Sequence, residues 1–432
     1  MENLRRGAPR NVVQSDVERE LAKVHESEWA VVLAATALIV RDLDVAEECV
    51  QESYATALVV WTRDGIPANP SAWLTTVAKR RAVDVLRRDM TLRSKVPLLV
   101  TEESTLNDEV EVEHRRSDAD EIGDERLRLI FMCCHPALSR EAQMALTLRL
   151  VVGMSTADIA RVFVVTETTM AARLTRAKKK IAIARIPFRV PRESQLPERL
   201  STVLGVIYLL FTMGHTAQSG ETLTRPELVD EALRMTHVLR ELMPDEQEIR
   251  GLLALLVVTT ARQGTRVGSD GQPIRLDEQD RTQWDGQAIS DARDLIDEGL
   301  RFGRPEKYVL QAAIALVHAQ APSYEETDWA SIVRLYDELT VAWPTPIVAL
   351  NRAVAVSMVR GPEFALEEVE ALDAQGELAS YHYLPAIKAD LLRRVGRLEE
   401  ARREQRRAIE LTANESERAY LESQLASPSF GL

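Results

Sequence analysis

The chain has 432 residues, 45% of them hydrophobic and 28% charged, but only 5% aromatic, and it carries a net charge of -13. That length and apolar content suit roughly two to four packed domains. The acidic balance excludes a general nucleic-acid coat, because phosphates repel a negative surface. Cys49, Cys133 and Cys134 are the only cysteines, an odd and sparse set that excludes a disulfide framework and suits a reducing compartment.

The abundance of Ala, Leu, Arg and Glu predicts an all-α chain, since unbranched side chains lose little rotamer freedom in a helix. The first residues are polar, with no apolar stretch behind a basic start, so no targeting segment is expected. The apolar run from Trp29 to Val40 is too short to cross a bilayer, and a cytoplasmic protein without a membrane partner is expected.

Residues 10–90 read as a first helical module, interrupted by the Gly- and Pro-marked loop Thr62 to Trp73. Within it, DVAEECVQESYATALVVW is amphipathic. Ala46, Val50, Ala57 and Trp61 fall on one side, and Asp44, Glu47, Glu48, Gln51 and Glu52 on the other. Such an acidic face suits docking to a basic partner, although a plain solvated face has the same pattern. After the loop, AWLTTVAKRRAVDVLRRD carries Lys79, Arg80, Arg81, Arg87 and Arg88 with one acid, Asp84, among them. Trp61 and Trp73 flank the loop. Each is a candidate base-stacking platform and equally a candidate core anchor.

Residues 91–124 are rich in Glu and Asp without apolar periodicity and read as a flexible acidic linker. The block 125–186 then holds the strongest local pattern, GMSTADIARVFVVTETTMAARLTRAKKKI. Ser155, with Asp158 three residues on, predicts a capped helix whose apolar face is Ile159, Ala160 and Phe163. Thr166 predicts the cap of a second helix, on which Met170, Leu174, Ala177 and Ile181 form a buried stripe. Thr168, Thr169, Arg173, Arg176, Lys179 and Lys180 then face outward. Small residues at the start and cations behind suit a helix lying in a DNA major groove. The turn places Val164 where many such motifs have glycine, which predicts a looser or strained turn.

The prolines at 187, 191 and 197 mark a second boundary, followed by a helical extension over residues 187–300 and helical repeats over 301–426. Gly396, Ala401 and Ala408 follow the spacing of a tetratricopeptide helix hairpin, with a poorer copy at Gly361 and Ala365. A generic helical bundle is the alternative for this part. In the loop LDEQDRTQW, Asp277, Glu278, Asp280 and Arg281 read as a polar loop with internal ion pairs, because their spacing fits no cation loop. The adjacent Cys133, Cys134 and His135 cannot readily wrap one tetrahedral ion, so a buried apolar role is expected and no metal. His215 reads as a core or capping residue. No nucleophile elbow, phosphate loop or dinucleotide fingerprint is present, so neither an enzyme nor a cofactor is expected.

DVAEECVQESY followed by NPSAWLTTVAKRRAVDVLRR resembles the second conserved region of extracytoplasmic-function sigma factors, and SREAQMALTLRLVVGMSTADIARVFVVTETTMAARLTRAKKKI resembles their fourth. Segments such as GVIYLLFTMGHTAQSG and GRLEEARREQRRAIEL resemble a subgroup with a large, tetratricopeptide-like C-terminal extension. The resemblance implies that the face of Asp44, Glu47, Glu48, Gln51 and Glu52 docks on core RNA polymerase. It implies that Asn69, Trp73, Lys79, Arg80 and Arg81, with Arg87 and Arg88, open and hold the −10 promoter element as single strand. Thr168, Thr169, Arg173, Arg176, Lys179 and Lys180 then contact the −35 element as duplex. It also implies an extension that regulates the factor in cis, and a small regulatory partner protein. The competing reading is a helix-turn-helix regulator with a helical sensor that does not join polymerase.

Overall fold

The computed structural model describes residues 10–95, 125–163, 165–216, 224–268, 271–301 and 303–426. Among these the chain is helical throughout, with no strand and one isolated bridge between Val267 and Pro273. Most of the acidic linker and Val164 of the turn lie outside the described residues. The chain divides into two compact units, residues 1–206 and 207–432.

The first unit opens with three long helices, α1 (Arg10–Val40), α2 (Leu43–Asp64) and α3 (Pro70–Lys95), packed on one another. Local chemistry sets their ends. The Asp42 carboxylate accepts from the amides of Asp44 (2.8 Å) and Val45 (3.1 Å), satisfying donors that the first turn of α2 leaves open. Gly65, at φ +90°, stops α2. Asn69 caps α3 through the amide of Ala72 at 3.0 Å. The predicted apolar side of α2 is the core, with Ala46, Val50 and Ala57 completely enclosed and Trp61 nearly so. Burying an indole of that size contributes about 1.5–3 kcal/mol.

Four further helices follow, α4 (Glu125–Cys133), α5 (Arg140–Leu146), α6 (Thr156–Val162) and α7 (Glu167–Ile183). Between α5 and α6 the helix widens into a π-type turn over Thr147–Val152, closed by Gly153 at φ +85°. Gly153 lies hard against α1. A β-carbon there would meet His25 Cε1 at 2.8 Å and Trp29 Cγ at 3.0 Å. Helix α4 and the π-type turn also pack on α1, so α1 belongs to the cores of both modules.

Helix α8 (Leu196–His215) continues from the first unit into the second. The proline-marked segment 187–197 precedes α8, and the division between the compact units falls within that helix. Pro197 sits in the first turn of α8, where its missing N–H has no partner to lose. Arg199 of α8 donates to the carbonyl of Phe131, the first unit's own core. Helix α8 is also long and apolar enough by composition to cross a membrane, which the sequence reading overlooked. Val203, Leu204, Val206, Ile207 and Leu210 on it are completely or almost completely enclosed by protein.

The second unit contains α9 (Pro226–Leu242), α10 (Gln247–Thr260), α11 (Gly286–Leu300), α12 (Lys307–Gln320), α13 (Trp329–Ala342) and α14 (Pro346–Val359). Helices α15 (Pro362–Gln375), α16 (Tyr383–Arg394), α17 (Leu398–Leu411) and α18 (Glu415–Leu425) complete it. Each helix packs on the next, and α10 with α12 and α14 with α16 also meet. This is the order of stacked helix hairpins. The hairpin signature is present as spaced. Gly396 turns the chain at φ +80°, and Ala401 and Ala408 are completely buried where α17 approaches α16. Gly361 (φ +95°) and Ala365 repeat the arrangement one hairpin earlier.

Candidate promoter and polymerase interfaces

The helix-turn-helix forms as its residues dictate. Ser155 Oγ accepts from the amide of Asp158 at 3.1 Å, and Thr166 Oγ1 accepts from that of Thr169 at 3.2 Å. The Asp158 carboxylate completes the cap by a different route. It accepts from the Ser155 hydroxyl and from Arg161. Met170, Leu174, Ala177 and Ile181 are all buried. Outward from them, Thr168, Thr169, Arg176, Lys179 and Lys180 are exposed. Arg176 donates only to the carbonyl of Ala172, at 3.2 Å. Lys179 and Lys180 have no carboxylate partner among the described residues. Arg173 is half-buried, its guanidinium 5.5 Å from the Phe163 ring. An exposed cation with no internal anion keeps its full charge for a phosphate or a guanine edge.

In the first module Trp61 is core and Trp73 rests on it edge-to-face, ring centres 5.5 Å apart, leaving Trp73 half-exposed. Arg80, Arg87 and Arg88 are exposed, and Lys79 is half-buried. Arg81 differs from the expectation for a DNA-contacting residue. It reaches across to α2, pairing with Glu52 and donating to Thr56 Oγ1 at 2.8 Å. Two residues assigned to different partners thus hold each other.

The acidic face of α2 also divides. Glu48, Gln51 and Glu52 are exposed, but Glu47 is only 5% exposed. It is not part of the solvated row that helical spacing predicts. Arg149 Nε of the π-type turn lies 2.7 Å from one of its oxygens, and Lys178 of α7 grips the other. Lys178 Nζ also lies 2.7 Å from Asp44. Burial alone would lower the Lys178 pKa, but Glu47 and Asp44 outweigh it and hold the ammonium above its ordinary value. Sequence reasoning missed Lys178 and Arg149. The signal for Lys178 was its register, four residues after Leu174 and three before Ile181, which places it at the edge of the buried stripe.

Cys133 and Cys134 are completely buried, and burial pushes both thiols up, Cys134 to about 12. Among the described residues no group of His, Cys, Asp and Glu is arranged to hold a metal. His215 stacks on Phe211, and burial followed by Arg266 and Arg262 lowers it to about 2, so it is neutral.

Residues 30–91 match the Sigma-70 region 2 family, and residues 128–181 match Sigma-70, region 4. The chain belongs to the sigma-70 family. It is a sigma factor of the extracytoplasmic-function kind, with a C-terminal extension whose residues 199–300 match a family of unknown function, DUF6596. An uncharacterized protein of Rhizobium meliloti (strain 1021) is 42% identical over 387 residues, covering 89% of this factor and 90% of that protein. The likeness thus extends through the extension. No solved structure matches the factor.

Proposed function

We propose that this factor binds core RNA polymerase in the cytoplasm and directs it to promoters without itself being an enzyme. Glu48, Gln51 and the neighbouring acids of α2 dock on polymerase. Asn69 and Trp73, with Lys79, Arg80, Arg87 and Arg88 of α3, hold the opened −10 element. Helix α7 reads the −35 duplex through Thr168, Thr169, Arg173 and Arg176, with Lys179 and Lys180 on phosphates.

The observation that carries this reading is the outward row of Arg176, Lys179 and Lys180. These cations have no carboxylate partner among the described residues, in a chain of net charge -13. In-vitro transcription with core polymerase on a promoter library tests it. Promoter-dependent transcripts with a common −35 and −10 sequence are expected. Failure to co-purify with core polymerase would sink the reading in favour of a regulator that binds DNA alone.

Control in cis enters the proposal first through the ion pairs of Glu47. Glu47 cannot meet a polymerase surface while Lys178 and Arg149 hold it, although Asp44 stays exposed beside Lys178, so docking through Glu47 requires the region 4 module to let go of α2. The arrangement is then a resting form. The extension acts on this equilibrium, in place of a separate inhibitor. Deleting it from Pro191 is a poor test, because the cut removes Arg199 from the Phe131 carbonyl and strips the first unit's core. Point substitutions that leave α8 intact are the sounder route.

A further inference from the structure

The loop between α10 and α11 is where the extension departs from stacked hairpins, and three of its four arginines go to three different places. Arg266 donates to the carbonyl of His215 at 2.7 Å, at the end of α8. Arg281 donates to the carbonyls of His318 (2.7 Å) and Ala321 (2.8 Å), closing α12. These two satisfy helix C-terminal carbonyls, a structural role. Arg275 has a different setting. It forks onto Asp277 at 3.0 and 3.2 Å and forms one wall of a cavity of about 240 Å³.

The other walls come from α14, α16, α17 and α18. Arg393 and Arg394 both line the cavity, together with Asp390, Ser357 and Tyr420. The charges do not balance. Asp277 answers Arg275, and Asp390 lies 2.6 Å from Arg393. Arg394 is left with the hydroxyl and carbonyl of Ser357, at 2.9 and 3.2 Å, and with Asp390 only at 3.8 Å. One guanidinium in this acidic chain thus faces a cavity with neutral acceptors and a shared, distant carboxylate. The Arg394 side chain is partly exposed, so an anion can reach it from solvent and pair with a charge that no close carboxylate answers.

Size decides what kind of anion. Pockets for drug-sized ligands span roughly 300–1,000 Å³, so this one suits something smaller. Arg275 of the inserted loop forms one wall of this half-open cavity, so a cation faces it from the loop as well as from α16. Burial also raises the Tyr420 phenol pKa, so it stays protonated and able to donate.

We propose that the cavity beside Arg394 and Arg275 is a ligand site for a small anion bearing a carboxylate or phosphate group. The planar guanidinium matches both. Bound there, the anion ties the loop to the last hairpins and gives the extension a signal to respond to. Binding is a property of the free chain, so it stands or falls separately from the promoter reading.

The test is isothermal titration calorimetry and thermal melting of the full-length chain with inorganic phosphate and with succinate. Sodium chloride of matched ionic strength is the control. Saturable one-site binding of at least one anion is expected, with a rise in Tm that chloride does not give. Which anion binds separates the phosphate and carboxylate sources. Arg394→Ala should weaken binding by about tenfold or more. Because that variant also removes a contact to the end of α14, Arg275→Ala on the opposite wall is the second variant, expected to weaken binding similarly while circular dichroism shows both folded. No saturable heat with either anion, or unchanged affinity in both variants, overturns the proposal.

Discussion

Helices α7 and α17 are both short, amphipathic and rich in cations, yet they do opposite things with their charge. On α17, Arg407 lies between Asp373 and Glu404, Arg402 pairs with Glu399, and Arg403 with Glu400. The neighbouring Lys388 joins the same two acids, Asp373 and Glu404. These cations are closed into a network that braces one hairpin against the next. On α7, Lys178 alone is closed in this way, whereas Arg176, Lys179 and Lys180 face solvent with no acid beside them. A count of Arg and Lys, five on α7 and four on α17, barely separates the two helices. The pairing state does separate them, and it agrees with the proposal that α7 is the helix that meets DNA.

The largest expected effect breaks the closed side of this contrast within the first unit. Glu47→Ala leaves Arg149 with only the carbonyl of Met154, and Lys178 with Asp44 alone. Removing one partner from a buried ion pair is expected to destabilise the first unit by about 3 kcal/mol. Urea denaturation reads this, and a loss under about 1 kcal/mol would show that the pair is not desolvated.

The open side comes next. Arg176→Ala is expected to cost about 1–3 kcal/mol in −35 duplex binding and to relax sequence preference at one position. Lys179→Ala should weaken all sequences alike and lower the slope of log K against log salt by about 1. Arg402→Ala on α17 should change neither. Gel shifts at several salt concentrations separate the three, and an equal loss from Arg402→Ala would erase the distinction between the helices.

Lys178→Ala sharpens the comparison by removing the α7 grip on Asp44 and Glu47 while Arg149 still holds Glu47. Its expected effect is a rise of roughly five- to tenfold in apparent affinity for core polymerase, since a closed population no longer has to open first. Affinity that stays the same or falls would mean that the Glu47 contact does not compete with docking.

The smallest effect lies in the paired network and depends on pH. Burial would raise the Asp373 pKa, but Lys388 and Arg407 hold its carboxyl below the ordinary value. Its stabilisation is therefore complete above the unfolded value, about 3.9, and is lost as pH falls through the lower folded value. Asp373→Asn should cost about 1 kcal/mol at neutral pH, because Glu404 still serves both cations, and should flatten the acid limb. An unchanged acid limb in thermal melts would remove Asp373 from the account.

What the sequence disclosed divides along the same line. Ser155, Thr166, the four-residue stripe of α7 and the Gly396, Ala401 and Ala408 spacing depend on neighbours a few residues away, so helical geometry alone positions them. Glu47 with Lys178 and Glu52 with Arg81 join segments 131 and 29 residues apart, and helical spacing cannot say which segment arrives at a given face. Pro197 marks the start of α8 for a local reason. A proline reads as a break unless its place in the first turn is known.

Gly153 offers a mechanical handle on the proposed resting form. It lets the π-type turn seat directly on the side chains of His25 and Trp29, with no room between for even one carbon. A single methyl at that point would act as a wedge, prising the promoter-reading module off α1 while every charged group keeps its identity. Its left-handed backbone adds about 1 kcal/mol of strain to any replacement. A missing β-carbon at position 153 therefore sets how closely the helix-turn-helix module can seat on α1.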